Sequence, residues 1–484
     1  MPLDCNETFR SLNAGLPDDV ARLKAAGYYD EAIARIDARL AEDWTSTQNG
    51  PNRAANPTPQ GVDAQRMALL AQREMMCRLP REYPYTEAQA VARMQSLVRD
   101  FTPEEFRALD RAGRVDWRFV EGVKHYQKRF AETLLDTDPA YGARRLDPGP
   151  DGSAARARRR AVHEQMVRTG SASARITVES SIGMSNAAFD AALARAKAQG
   201  RDSVHVRAWL PVAAACDAQS DLSIDFASEQ PAHVAPADAP QRTVFWEADL
   251  TQNRSFTLRY SYTQTARYAD PLSFEPDPVQ PDFDTGEEAP HIVFTPYLRA
   301  LAAQLTEGVT SPAEKARRFY DYITLNVRYH YQPAYFVLED IPTRCAADRR
   351  GDCGIMALTF ITLCRIAGIP ARWQSGLAVG PDKCGCHDWA MFYIAPKGWM
   401  YADCSYGGSM ARAGEEELRR HYFGNLDPGR MVANRAFEAP FDPPMTGFRA
   451  DPYDNQCGEI EADGVGLYGD DVVTAKETLR YEEK

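Results

Sequence analysis

Arg349-Arg350-Gly351-Asp352-Cys353-Gly354-Ile355-Met356-Ala357-Leu358 sets a cysteine between two glycines at the start of an apolar helix. The apolar run continues through Phe360, Ile361, Leu363, Ile366 and Ala367. It meets Gly368-Ile369-Pro370, a glycine suited to the C-terminal cap with a proline just beyond. A helix that is apolar all round forms the buried spine of a domain. Cys353 then occupies the first turn, where unpaired N–H groups and the helix dipole favour an anion and should lower a thiol's pKa.

Downstream, residues 387–394 read as a strand, 395–398 as a turn and 399–403 as the returning strand. His387 and Asp403 stand an even number of positions apart (403 − 387 = 16) with Ala395 at the midpoint. In an antiparallel hairpin centred there they are direct cross-strand partners on one face. A tight turn on Pro396-Lys397 alone would put them on opposite faces, so the pairing requires a bulge or a wider loop.

Four pieces in this order, Gly351-Asp352-Cys353-Gly354, Arg365-Ile366-Ala367-Gly368-Ile369-Pro370-Ala371-Arg372, His387-x-Trp389 and Gly398-Trp399-x-x-x-Asp403, closely resemble the transglutaminase-like superfamily over roughly residues 291–408. The resemblance implies a papain-like α+β core with Cys353 as nucleophile, His387 as general acid/base and Asp403 orienting the imidazole. The residue types suit that chemistry independently. A thiolate beside a histidine attacks an amide carbonyl, the histidine then protonates the departing nitrogen, and the carboxylate fixes the tautomer. A thioester so formed is resolved by an amine or by water, and the residues do not choose between transamidation, deamidation and peptide hydrolysis. The Cys353 N–H is one natural oxyanion donor, and residues 329–332 are the candidate source of a second. No cofactor is required and no metal is expected.

Sulfur is dense nearby, with Cys384 and Cys386 before His387 and Cys404 after Asp403. Zinc on Cys384, Cys386, Cys404 or His387 is one reading, and a disulfide between Cys353 and a neighbour is another. Cys-x-Cys lacks the usual zinc-knuckle spacing, so the favoured expectation is reduced cysteines in a cytosolic chain.

The 484 residues, 44% hydrophobic, suffice for several cored domains. A balance of 56 basic against 68 acidic residues, net −12, argues against a nucleic-acid partner, which would call for a basic stripe. Ten cysteines spread along so long a chain do not resemble a disulfide framework. The N-terminus has no basic start followed by an apolar run, and no window is apolar enough to span a bilayer, so the expectation is cytoplasmic with no membrane partner.

Residues 1–168 read as a helical N-terminal domain, with helices at 18–26, 28–42, 62–79, 86–99, 103–112 and 119–135. Thr102-Pro103-Glu104-Glu105 supplies a capping box, and Arg156-Ala157-Arg158-Arg159-Arg160 reads as a solvated helix face. Residues 169–290 carry five alternating runs, among them Val204-x-Val206-x-Ala208-x-Leu210 and Phe256-x-Leu258-x-Tyr260-x-Tyr262. One helix at 187–198 interrupts them, which indicates an antiparallel β-sandwich domain. Its last part, 270–290, is rich in Pro and Asp and reads as a linker or covering loop. Residues 291–430 form the core, where Ser311-Pro312-Ala313-Glu314 caps a helix with Ala316, Phe319, Tyr320, Ile323 and Val327 inward. After Asp403 the chain is expected to turn at Gly407-Gly408 and form a helix at 415–422. Residues 431–484 read as an irregular tail packed on the core, with 451–457 as a candidate wall of the cleft. His330 and His421 are further candidate site residues that read more naturally as structural.

The fold class expected is therefore α+β and multidomain, a cysteine acyltransferase or amide hydrolase acting on a protein or peptide. The alternative of another class is a non-catalytic binding or assembly protein that keeps the fold. A calcium-dependent cross-linking enzyme is disfavoured, because no acidic loop has ligand spacing.

Overall fold

The computed structural model describes residues 5–49, 59–148 and 152–484. The chain divides into two compact units, one of residues 7–151 with 330–339, the other of residues 1–6, 152–329 and 340–484.

In the first unit the helices Asp18–Ala26, Tyr29–Asn49, Pro59–Glu82, Glu87–Gln95 and Pro103–Arg111 fall where apolar spacing placed them. The Thr102 hydroxyl accepts from the Glu105 N–H at 3.2 Å, and the Glu105 carboxylate reaches back to the Thr102 N–H at 3.1 Å. The helix expected at 119–135 is instead the hairpin Trp117–Val120 and Val123–Tyr126, followed by the helix Phe130–Thr137. Its two loop residues, Glu121 (φ 48°) and Gly122 (φ 75°), are both left-handed, as a tight hairpin turn demands. Arg-Phe-Val before Glu-Gly and Val-Lys-His after it is strand alternation, and that local pattern overrides the helical spacing.

The second unit joins the expected sandwich and core domains. One antiparallel sheet orders Val472–Glu483, Ser171–Met184, Phe256–Arg267 and Gln219–Ala227. A second orders Val465–Gly466, Glu459–Ala462, Val204–Pro211, Thr243–Leu250 and His233–Val234. The helix Asn186–Ala198 closes them. Ile176, Val178, Val206, Ala208, Leu258 and Tyr260 are buried in one cluster, which also takes in Leu377, Val379, Met431 and Ala433 of the core. Sandwich and core are therefore packed on shared apolar surface, and the 290/291 boundary separates sequence patterns rather than hydrophobic cores.

The tail is not irregular. Arg430–Asn434 enters the core sheet, and Glu459–Ala462 and Val472–Glu483 supply a strand to each sandwich sheet. These strands were hard to read for opposite reasons. Glu-Ile-Glu-Ala is short and carries two buried glutamates, whereas Val472–Glu483 is a mostly exposed, charged edge strand. The helix Ser153–Thr169 also belongs to this unit. Its arginine run is not merely solvated, since Arg159 lies over the Tyr406 ring at 4.7 Å and Arg160 pairs with Glu415.

The core sheet orders Phe423–Gly424, Gly398–Ala402, Lys383–Ile394, Ala371–Gly380 and Arg430–Asn434. Against it lies the helix Cys353–Ile366, buried along its length from Gly354 to Arg365. The Asp352 carboxylate accepts from the Ile355 N–H at 3.3 Å at its start, and Gly368 (φ 74°) follows its end. The helix Pro312–Asn326 turns Ala316, Phe319, Tyr320 and Ile323 inward as expected. Gly407 and Gly408 sit inside the helix Cys404–Arg412 and do not form a turn. A Cβ on Gly407 would fall 1.9 Å from the Tyr320 hydroxyl oxygen, so the glycine permits close helix packing. The strap 270–290 covers the core, with the Arg365 guanidinium donating to the Gly286 carbonyl at 3.0 Å and pairing with Glu288 at 3.3 Å.

Candidate active site

The site sits where the Cys353 helix begins beside the strand Lys383–Ile394. The hairpin on that strand pairs Ala390 with Ala402 and Ile394 with Gly398, leaving residues 395–397 as its loop. Three loop residues preserve the parity that puts His387 and Asp403 on one face, but they move the centre from Ala395 to Pro396. His387 and Asp403 are consequently diagonal neighbours rather than the direct partners expected, which a long side chain spans.

They meet: His387 Nε2 lies 2.7 Å from Asp403 Oδ2. Asp403 also caps the helix Cys404–Arg412, its Oδ1 accepting from the Tyr406 N–H at 3.0 Å and the Ser405 hydroxyl at 3.2 Å. Arg430 donates to Oδ2 at 3.0 Å, and its other arm holds Asp427 at 2.8 Å. Burial works to raise Asp403, yet the His387 charge and hydrogen bond, with the Arg430 guanidinium, hold it well below the usual carboxylate range. An ionised Asp403 accepts, so Nε2 carries the proton and Nδ1 is the nitrogen left to serve as base. The ring is flanked by Tyr406, centroids 4.7 Å apart, and by Trp389 at 5.9 Å. The Trp389 indole N–H is fixed in turn on Gln374 at 2.8 Å.

Cys353 is at the helix tip, as expected, but among the described residues its thiol's hydrogen-bond partner is Asp388 and not the His387 ring. The S–H donates to Asp388 Oδ2 at 3.3 Å. Strand alternation explains the pairing. Asp388 shares the face of Phe392, whose ring packs on Phe360 of the helix at 5.7 Å, while His387 shares the opposite face with Trp389. The structure thus joins His387 to Asp403 and sets Cys353 against the next residue along the same strand.

Asp388 is the head of a buried polar group. The Gln456 amide donates to Asp388 Oδ1, to Asp454 Oδ2 at 2.9 Å and to the His387 carbonyl at 3.4 Å. The Ser375 hydroxyl donates to Asp454, and Asn434 donates to Ser375 at 3.1 Å. Burial, then the nearby Asp454 and Asp352 charges, push Asp388 well above the carboxylate range, and burial also raises Asp454. Two neighbouring carboxyls in such surroundings resist carrying charge together. Burial likewise drives the Cys353 thiol up, with Asp388 and Asp352 adding to it. The lowering expected from the helix start is overridden in this geometry, because burial of the thiol, with Asp388 and Asp352 adding to it, outweighs a terminal dipole.

Other expectations resolve separately. His421 is buried with its Nδ1 3.0 Å from Nδ1 of His163, and burial followed by the His163 charge takes it down to about 4. Its neighbour is thus another histidine, which fits a structural role. His330 Nδ1 lies 2.9 Å from the Tyr331 carbonyl. Of the segment 329–332, Tyr329 belongs to the core unit and the rest to the helical unit. Cys404 is buried with Cys345 and Cys364 nearby, Cys384 packs against the sandwich core, and Cys386 is exposed. Among the described residues no three His, Cys, Asp or Glu side chains gather into a metal-binding cluster. No helix among them is long and apolar enough to cross a membrane.

Sequence reasoning missed Asp388 and Arg430, whereas Asp454, like Gln456, lies in the 451–457 stretch singled out as a candidate wall. The available signal for Asp388 was its place beside His387, since alternation must send one of two adjacent residues toward the helix.

Residues 299–404 match the family described as the transglutaminase-like superfamily. No curated protein matches the chain. Among solved structures, a candidate cysteine protease from Cytophaga hutchinsonii is similar at 17% identity and TM-score 0.40, covering 64% of this chain and 92% of that one. The periplasmic domain of TgpA from Pseudomonas aeruginosa is similar at 14% identity and TM-score 0.27, covering 53% of this chain and 95% of that one. Residues 299–404, with the helix-tip cysteine and the His–Asp hairpin in the family's order, are a domain of the transglutaminase-like superfamily.

Proposed function

We propose that this chain is a cysteine-dependent acyltransferase or amide hydrolase acting on a protein or peptide, with Cys353 as nucleophile, His387 as general acid/base and Asp403 as its orienting partner. The observation that carries the reading is the buried 2.7 Å His387–Asp403 bond, braced by Arg430, one residue along the strand from the group that touches the Cys353 sulfur. In the reaction, His387 Nδ1 takes the Cys353 proton and the sulfur attacks the amide carbonyl carbon. The carbon–nitrogen bond then breaks as His387 returns the proton to the nitrogen. Asp403 steadies the imidazolium through Nε2–H. The resulting thioester is opened by water or by an amine, with His387 accepting the proton of either. At rest the thiol is held by Asp388. A cytoplasmic setting, where thiols stay reduced, belongs to the same proposal.

One observation favours a second reading, a binding protein that keeps the fold without turnover: the Cys353 thiol is bonded to Asp388 and its pKa is raised. Acid-quenched mixtures of the protein with a peptide and glutamine-amide library separate the two by intact mass. The enzyme accumulates an acyl adduct on Cys353 that Cys353→Ser and His387→Ala abolish. A chain that binds library members yet never gains an adduct or releases a cleaved product is the binding protein.

A further inference from the structure

Outside the groups assigned above, two thiols and an amine converge at the surface. Cys386 Sγ and Cys457 Sγ lie 3.3 Å apart, and Lys476 Nζ donates to them at 3.2 and 3.0 Å respectively. The three come from different parts of the sequence. Cys386 is on the strand of His387, Cys457 follows Gln456, and Lys476 is on the edge strand Val472–Glu483. Both cysteines are exposed and both are free thiols. The hydrogen bond from Cys386, and after it the Lys476 ammonium, hold Cys457 well below the usual thiol range, whereas burial raises Cys384, two residues from Cys386, to about 11. An exposed thiolate next to a second thiol and a fixed cation is the arrangement of a redox-active pair, and Cys384 is the unreactive thiol beside it.

We propose that Cys386 and Cys457 form a reversible redox site that reacts with disulfides, Cys457 attacking first and Cys386 resolving. The Cys457 thiolate attacks one sulfur of a disulfide RSSR, forming Cys457–S–SR and expelling RS⁻. Cys386 then loses its proton to that thiolate and attacks the Cys457 sulfur, closing the protein disulfide and expelling the second RS⁻. The protein pair gives up two electrons, RSSR takes them, and the products are one RSH and one RS⁻. Closure needs the sulfurs to approach by only about 1.3 Å from their 3.3 Å separation. Once closed, it ties Gln456, which holds Asp388 and the His387 carbonyl, to the strand those residues occupy.

The test uses the full chain, reduced and then equilibrated with oxidised glutathione, acid-quenched, alkylated, digested and analysed by mass. The expected result is a cross-linked peptide containing Cys386 and Cys457, two hydrogens lighter than the reduced pair and lost on treatment with dithiothreitol. In Cys386→Ser, glutathione remains attached to Cys457. Lys476→Met should slow the first step at neutral pH about tenfold, and Lys476→Arg, which keeps the charge, should restore most of the rate. Glutathione found singly on either cysteine of the wild type with no cross-link, a cross-link to Cys384 instead, or a rate indifferent to Lys476 would overturn the proposal. The readout is a mass on residues other than Cys353, so it stands apart from whether Cys353 turns over.

Discussion

Asp388→Asn should make Cys353 more reactive, because it removes the group that both accepts the thiol proton and repels the thiolate. The sulfur and the Asp388 oxygen are 3.3 Å apart. Two unit charges at about 4 Å, with an effective dielectric of about 20, interact by about 4 kcal/mol. Burial and the Asp454 charge raise Asp388, so it carries its own charge only part of the time, and half of that repulsion is about 2 kcal/mol. Converted at 1.36 kcal/mol per unit, the thiol pKa should fall by about 1.5. Below that pKa the thiolate fraction then rises about thirtyfold, while the weaker nucleophilicity of a less basic sulfur leaves a net gain of about fivefold in rate. Asparagine keeps an oxygen to accept from Gln456, so the fold should hold. The assay is iodoacetamide labelling against pH, followed on the Cys353 peptide by mass so that the exposed thiols do not interfere. A midpoint that stays in place, or moves upward, would refute the role given to Asp388.

Arg430→Met leaves Asp403 and Asp427 without their buried cation, so unfolding by urea should show a loss of about 3–5 kcal/mol, and a loss below about 1 would count against the buried pairing. Gly376, opposite His387 on the neighbouring strand, has the Met431 carbonyl oxygen only 2.0 Å from where a Cβ would sit. Gly376→Ala should therefore destabilise the chain by about 1–3 kcal/mol or more, and an unchanged melting temperature would contradict that packing. Asp454 is raised in the folded chain, so between the unfolded and folded pKa values the native state binds more protons and stability falls as pH rises. Asp454→Asn should flatten that fall by up to about 1.4 kcal/mol per pH unit, measured by denaturant titrations from pH 5 to 8, and an unaltered slope would place the proton elsewhere.

The helix Cys353–Ile366 was legible because its signals are local: a capping aspartate, an unbroken apolar run and a terminal glycine. The hairpin was legible in parity, which depends on whether the loop is odd or even, but not in centre, which depends on one loop residue. The five sandwich runs were legible by alternation. What escaped depends on pairing across hundreds of residues. Glu459–Ala462 and Val472–Glu483 complete sheets begun near Ser171 and Val204, and neither stretch announces a strand alone. The thiol's partner escaped for the same reason, since Asp388 becomes a buried acid only once Asp454 and Gln456 fold against it. His387 and Asp403, by contrast, were close enough along one hairpin for spacing to bring them together.

The most direct measurement is the pH profile of Cys353 alkylation in the wild type against His387→Ala, both read on the Cys353 peptide. If the imidazole serves the sulfur, the wild type labels rapidly at neutral pH with an inflection that reports the histidine, and the variant loses it and reacts only as an ordinary buried thiol at high pH. Superposable profiles would mean that His387 and Asp403 are a bonded pair with no hold on Cys353, and the enzymatic role would fall.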